Sequence, residues 1–147
     1  MKITIVGTGY VGMSLAVLFA QKHEVTAIDI DKNKVEKINK KISPIRDNLI
    51  SKYLLNKNLN LVATLNYEKA CKKADYIVIC TPTNYNPNNK SFDVSTVDKV
   101  IKKILKLNKN NKYSIIIKST IPVGYTLSLR DRFKKKDIYF SPEFLRE

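Results

Sequence analysis

Thiol chemistry is nearly absent from this 147-residue chain, which carries two cysteines, Cys71 and Cys80. Their spacing fits no metal-ligand pattern and their number is too low for a disulfide scaffold, so both read as small buried side chains in a reducing compartment. No metal site is expected. Nor does any apolar run approach the roughly 20 residues of a membrane helix. The charged and apolar parts of a secretory leader are missing from the N-terminus, where a strand begins at once, and a cytoplasmic location is the expectation. Internal repeats, linkers and low-complexity segments are also missing. A chain of this length buries one full core and is too short for two ordinary domains, so residues 1–147 are expected to form a single domain.

Acidic residues are scarce beside basic ones, 13 against 27, for a formal net charge of +14. Such an excess draws polyanions and raises a nucleic-acid or membrane-surface reading. The distribution argues against both. Lysines are spread over residues 32–41, 69–73, 99–112 and 134–136, mostly on polar faces of predicted helices. No aromatic-interleaved basic strand or recognition helix accompanies them. Solvated helix faces account for the charge, and neither nucleic acid nor a membrane is expected as a partner.

Glycine is scarce too, yet three of the four glycines, Gly7, Gly9 and Gly12, fall at one place. Residues 2–6 read as a short apolar strand and Met13 to Ala20 as a mostly buried helix, which puts the glycines at a strand-to-helix crossing. Gly7 permits the tight turn, Gly9 lets a pyrophosphate approach the backbone, and Gly12 lets the helix pack closely on its strand. Within the turn Gly7, Gly9, Tyr10, Val11 and Gly12, the N–H groups of Val11 and Gly12 are the expected phosphate donors, aided by the helix dipole. A bare G-x-G-x-x-G is weak by itself, because glycine-rich turns occur in folds that bind nothing. What strengthens it is Glu24-Val-Thr-Ala-Ile-Asp29, a second strand ending in a carboxylate about 20 residues further on, where a dinucleotide fold holds its adenosine ribose. Asp29 in that role accepts from both ribose hydroxyls and repels a 2′-phosphate, favouring NAD over NADP; Lys32 and Lys34 lie close enough to weaken the preference. The alternative for Asp29 is a helix cap or turn residue, a role that Asp31 fits better.

Further on, Asp31 caps a predicted helix with apolar positions Val35, Ile38 and Ile42, stopped by Ser43-Pro44. A short helix follows over 47–56, then a third strand over 61–64, a helix from Asn66 through Ala74 and a fourth strand over 76–80, apolar on both faces. The segment 85–92 reads as a polar loop. A helix over 94–106, a fifth strand over 114–118, a helix over 126–133 and a sixth strand over 138–140 complete the alternation. It predicts an α/β, Rossmann-type, doubly wound parallel sheet of six strands in the order 3-2-1-4-5-6. Strand exits at Gly7–Gly12, Thr81–Asn84, Ser119–Gly124 and Ser141–Glu147 then share one edge, bringing Thr83, Thr120, Glu143 and Glu147 towards the far end of a bound dinucleotide. Glu143 and Glu147 are four apart and share a face if helical; from spacing alone, acids at a capped helix start explain them as well.

Five segments in this order carry a resemblance: Gly7-Thr-Gly-Tyr-Val-Gly12, Ser43-Pro44, Thr81-Pro-Thr83, Lys118-Ser-Thr-Ile-Pro-Val-Gly124 and Ser141-Pro-Glu-Phe-Leu-Arg-Glu147. Together they resemble the UDP-glucose 6-dehydrogenase family over the whole chain, with Phe144-Leu145 pointing to the glucose branch over the N-acetylmannosamine one. That family oxidises the sugar C6 alcohol to a carboxylate in two NAD-dependent steps, through an aldehyde and a cysteine-bound thioester. The resemblance implies NAD contacts at Gly7, Gly9, Tyr10, Val11, Gly12, Asp29, Lys34, Thr81, Pro82, Thr83, Ser119, Thr120 and Glu147. It implies catalytic roles for Thr120, Glu143 and Glu147: Thr120 helps hold a water and Glu143 acts as base in thioester hydrolysis. Glu143, Phe144, Leu145, Arg146 and Glu147 would line the UDP-glucose site.

Family members continue into a dimerising helix and a second nucleotide-binding domain, which supplies the nucleophilic cysteine and most UDP contacts. The chain therefore reads as the N-terminal NAD-binding domain of such an enzyme, incomplete without that half or a homodimer partner. A stand-alone NAD-binding module or sensor with a basic surface is the alternative, as is the corresponding domain of a UDP-N-acetylmannosamine dehydrogenase.

Overall fold

The computed structural model describes residues 1–87, 90–107 and 112–143. Strand β1 (Lys2–Val6) runs into helix α1 (Tyr10–Ala20), and β2 (Glu24–Ile28) is followed by α2 (Lys32–Asn39) and α3 (Asn48–Asn56). Next come β3 (Leu61–Thr64), α4 (Tyr67–Cys71) and β4 (Tyr76–Ile79), then a hairpin of β5 (Asn84–Asn86) and β6 (Ser91–Asp93). Helix α5 (Ser95–Leu107), β7 (Ser114–Ile117), α6 (Tyr125–Phe133) and β8 (Ile138–Phe140) end the described elements. The six long-range strands pair in parallel in the order β3-β2-β1-β4-β7-β8. This is the predicted 3-2-1-4-5-6 order, with β7 and β8 as fifth and sixth sheet strands.

Alternate residues of the central strands serve opposite faces, as a sheet covered on both sides requires. Val6, Ile28, Ile77, Ile79, Ile115 and Ile117 pack with Cys71, Val97, Ile101, Ile104 and Leu129 of α4, α5 and α6. On the other face, Ile3, Ile5, Val25 and Val78 meet Ala16 and Ala20 of α1, while Ala27 and Ala63 meet Met13, Val35, Ile38 and Ile50 of α1, α2 and α3. Six strands with helices on both faces place every strand's C-terminal end on one edge.

Three local features depart from the periodicity. Helix α2 stops at Asn39, and Ile42, expected on its buried face, is exposed. Lys41 takes a left-handed φ of 59°, the Ile42 N–H donates to Lys37 O at 2.8 Å, and the chain leaves the helix through a Schellman-type turn. Asn39 holds that end in place: its side-chain amide donates to Ala63 O and accepts from Ala63 N, covering part of the free edge of β3. Helix α4 ends at Cys71 instead of Ala74 because the buried Thr4 hydroxyl donates to Ala70 O at 2.7 Å, the carbonyl a continuing helix would offer to Ala74. Finally, the expected polar loop after β4 contains the β5–β6 hairpin, in which Tyr85 and Phe92 pair edge to face at 5.3 Å.

The crossing from β1 to α1 leaves no room for side chains at two positions. A Cβ on Gly12 would stand 1.9 Å from Gly7 O, and one on Gly7, at φ 97°, would stand 2.7 Å from Cys80 O. Gly12→Ala must therefore push α1 off the sheet, and overpacking of this kind costs about 1–3 kcal/mol or more. Urea unfolding of the variant is expected to show that loss, whereas Gly9→Ala, whose Cβ meets nothing within 4 Å, is expected to lose only what alanine costs at the start of a helix, about 1 kcal/mol or less.

Candidate functional site

The C-terminal ends of β1, β2, β4 and β7 open onto one cleft of about 940 Å³, at the upper end of the roughly 300–1,000 Å³ typical of ligand pockets. Gly7, Gly9, Tyr10, Val11, Asp29, Lys34, Thr81, Pro82, Thr83, Ser119, Thr120 and Glu143 all line it. Gly12 is buried directly behind, against Gly7. Phe144, Leu145, Arg146 and Glu147 lie outside the described residues.

Helix α1 begins at this cleft without a side-chain cap and without an acid in its first turn. The first N–H groups of a helix have no intrahelical partner, so those of Tyr10, Val11 and Gly12 end at the positive pole of the dipole. Gly9 is the N-cap in an extended conformation, and the space its missing side chain leaves is open. Backbone donors, a favourable dipole and an open approach make an anion cradle.

Asp29 serves the cleft in a way its spacing did not disclose. Its Oδ2 accepts from both the hydroxyl and the backbone N–H of Thr8, and its Oδ1 accepts from Asp31 N at 3.1 Å. Lys34 Nζ lies 3.9 Å away. Burial works to raise the carboxyl, and the Thr8 hydroxyl, the two backbone donors and Lys34 outweigh it, holding Asp29 below the ordinary 3.8. Asp29 is thus both the acid at the end of β2 and the tether of the glycine turn. Asp31 takes the capping role foreseen for it, accepting from Asn33 N and Lys34 N. A carboxylate has about four lone-pair sites; three are taken, so one on Oδ1 stays open for an incoming hydroxyl where two were expected. Thr8, buried between two glycines of the motif, is a functional residue the sequence reading passed over.

Across the cleft, Ser119 Oγ donates to Thr81 O at 2.6 Å, stapling the exit of β7 to that of β4. The Ser119 hydroxyl is therefore structural, although the residue lines the site. Thr81 Oγ1 is buried and has no hydrogen-bond partner among the described residues. The cleft is therefore lined by the residue and not by this oxygen, which lies beneath the surface. Lys118, quoted in a motif but given no role, has a side chain only 11% exposed and pairs with Glu143 Oε2 at 3.3 Å. Its ammonium also donates to Ser141 Oγ and Pro142 O, at 3.4 and 3.5 Å, so it fixes the exit of β8 over the cleft. A lysine closing the apolar run Ile115-Ile-Ile117 was the signal available.

Neither thiol is activated. Burial pushes Cys80 up to about 12, against the Lys118 cation and with help from Glu143; burial pushes Cys71 up to about 11, against Lys103. Among the described residues no cluster of His, Cys, Asp or Glu could hold a metal, and no helix is long and apolar enough to cross a membrane.

Residues 1–147 match the NAD binding domain of the UDP-glucose/GDP-mannose dehydrogenase family. The chain belongs to that family. It is 52% identical over its whole length to the UDP-glucose 6-dehydrogenase of Streptococcus pneumoniae and 46% identical to that of Campylobacter jejuni, covering 37% of each. Among solved structures, the GDP-mannose dehydrogenase of Pseudomonas aeruginosa, determined as a ternary complex, superposes with a TM-score of 0.85 at 27% identity, again over the whole chain and 37% of the other. The chain thus spans little more than a third of the length of these relatives. NAD is the cofactor of the matched domain, and the uncapped helix, the space at Gly9 and the Asp29 carboxylate on the same cleft fit it.

A carboxyl held below its ordinary value stabilises the fold above that value and loses the contribution as pH falls through the folded one. Asp29→Asn is therefore expected to be less stable than the parent at pH 7, with the gap closing as pH drops below about 3.8. Urea midpoints measured at a series of pH values check this; a gap independent of pH would mean that the Asp29 charge contributes nothing to holding the turn.

Proposed function

We propose that residues 1–147 form the NAD-holding domain and part of the sugar-nucleotide site of a UDP-glucose 6-dehydrogenase. The observation that carries this reading is the opening of an uncapped α1 N-terminus and the Asp29 carboxylate into one cleft. The N–H groups of Val11 and Gly12 hold the pyrophosphate, Gly9 gives it access, and Asp29 takes the adenosine ribose with Lys34 beside it. Thr81 and Pro82 line the path of the same ligand, and Thr83 and Thr120 stand at the β4 and β7 exits, where the nicotinamide end falls. When bound, NAD supplies the hydride acceptor.

Glu143 is placed by Lys118 to take a proton from a water that Thr120 helps to hold, work that suits an ionised carboxylate within hydrogen-bond reach. The family resemblance assigns residues 143–147 to the UDP-glucose site and Glu147 to NAD as well. Covalent catalysis needs an activated thiol. With Cys80 and Cys71 pushed up to about 12 and 11 by burial, the nucleophile comes from outside this chain.

Calorimetry with both cofactors tests the binding half of the proposal. The chain is expected to bind NAD at least about tenfold more tightly than NADP, because Asp29 repels a 2′-phosphate, and Gly9→Val is expected to abolish binding while circular dichroism shows the fold intact. Equal affinities for the two cofactors would remove Asp29 from the ribose role, and normal binding by Gly9→Val would make the glycine turn structural only. Absorbance at the NADH maximum tests the other half: the chain alone is expected to oxidise no UDP-glucose, and turnover that disappears in Cys80→Ser would place the nucleophile here.

A further inference from the structure

Beyond Asp29 the cleft reaches side chains to which the reading above gives no role. Tyr67 opens α4, Lys103 lies on the cleft side of α5, and Ile30 follows Asp29; all three line the cleft with Val100. Lys103 Nζ stands over the Tyr67 ring, 3.9 Å from its centroid. The ring is itself packed against the core formed by α4, α5 and the sheet. An ammonium held on an aromatic face is restrained from swinging into water. Ile30 is 89% exposed, an apolar side chain left uncovered at the cleft wall. Tyr67 and Asp29 line the same cleft, and burial, then Cys71 and the charge of Asp29, hold the Tyr67 hydroxyl above its ordinary value.

Lys99, one turn earlier on α5, lines the cleft as well, but it is Lys103 that is held on a ring. Apolar walls with a cationic donor fixed in place are what a flat heteroaromatic base with acceptors on its edge requires. A phosphate would need no apolar wall, and the cradle at α1 already meets that need. We infer that Lys103, held over Tyr67, is the base-selecting residue of this cleft, donating to a ring nitrogen of a purine that lies against Ile30 and Val100. The inference rests on the proposal that the cleft holds NAD. It adds a specificity element at the adenine, carried by two residues outside the glycine motif and outside every segment on which the family resemblance was drawn.

The test compares NAD with its 1-deaza-, 3-deaza- and 7-deazaadenine analogues, which keep shape and charge and each lack one ring acceptor. Calorimetry is run on the parent chain, Lys103→Met and Lys102→Met, the last changing a lysine of α5 that does not line the cleft. The parent is expected to bind one analogue about tenfold more weakly than NAD, the loss of one charge-assisted hydrogen bond. Lys103→Met is expected to bind that analogue and NAD within about twofold of each other, and Lys102→Met to keep the parent's gap. Tyr67→Phe, which keeps the ring, should keep the gap as well. The inference is overturned if the parent binds all three analogues as it binds NAD, or if Lys103→Met weakens every ligand alike and the gap survives, since Lys103 would then act only as a general charge. A parent chain that binds no NAD overturns this inference together with the proposal beneath it, whereas NAD binding without any gap overturns this inference alone.

Discussion

The close approach of α1 to β1 governs this molecule. With the place of a Gly12 Cβ only 1.9 Å from Gly7 O, helix and turn are in backbone contact. That contact sets the direction of α1, so that its first N–H groups reach the sheet edge at the middle of the cleft instead of beside it. It also commits the chain to glycine at two positions for steric reasons alone. Gly9 differs: a Cβ there would meet nothing within 4 Å among the described residues. The space before the helix N-terminus is therefore open to whatever the cleft holds.

A second constraint ties the cleft together across strands. Asp29 at the end of β2 reaches back to Thr8, Ser119 after β7 reaches to Thr81, and Lys118 reaches to the chain beyond β8. Each link joins neighbouring strand exits through a side chain, so the edge is preformed and its polar groups are fixed before a ligand arrives. Placing functional groups on rigid strand ends limits the reorganisation required on binding. The same links explain why residues proposed for the ligand do not all have free side chains: the Ser119 hydroxyl is committed to Thr81 O, while Thr81 Oγ1 is left without a partner among the described residues.

Sheet order, strand direction and the glycine turn were legible in the sequence because each rests on a short-range pattern: apolar runs, glycine spacing and an acid at a fixed distance. The features that were not legible depend on partners far away in the chain. Thr4 stops α4 from 66 residues away, and Asn39 meets β3 from 24 away. Lys41 occupies a left-handed position that glycine would have announced and lysine conceals. The β5–β6 hairpin escaped because its strands are three residues each, too short for alternation to show. At the site, Thr8 looked like filler between glycines, and Lys103 looked like one more lysine on a solvated helix face until Tyr67 was found beneath it. The family resemblance supplied the roles expected of Glu143 and Glu147, which spacing alone could not separate from acids at a capped helix start.

The central claim is that an anion cradle at the start of α1 receives a dinucleotide lying along the C-terminal edge of the sheet. Backbone amide chemical shifts, followed by heteronuclear NMR while NAD is added to the isotope-labelled chain, test it most directly. The account predicts the largest shifts at Tyr10, Val11 and Gly12, with further shifts at Asp29, Thr81 and Thr120. Shifts concentrated at the opposite edge of the sheet, around Met1, Lys22 and Lys73, with the amides of Tyr10 to Gly12 unmoved, would contradict it.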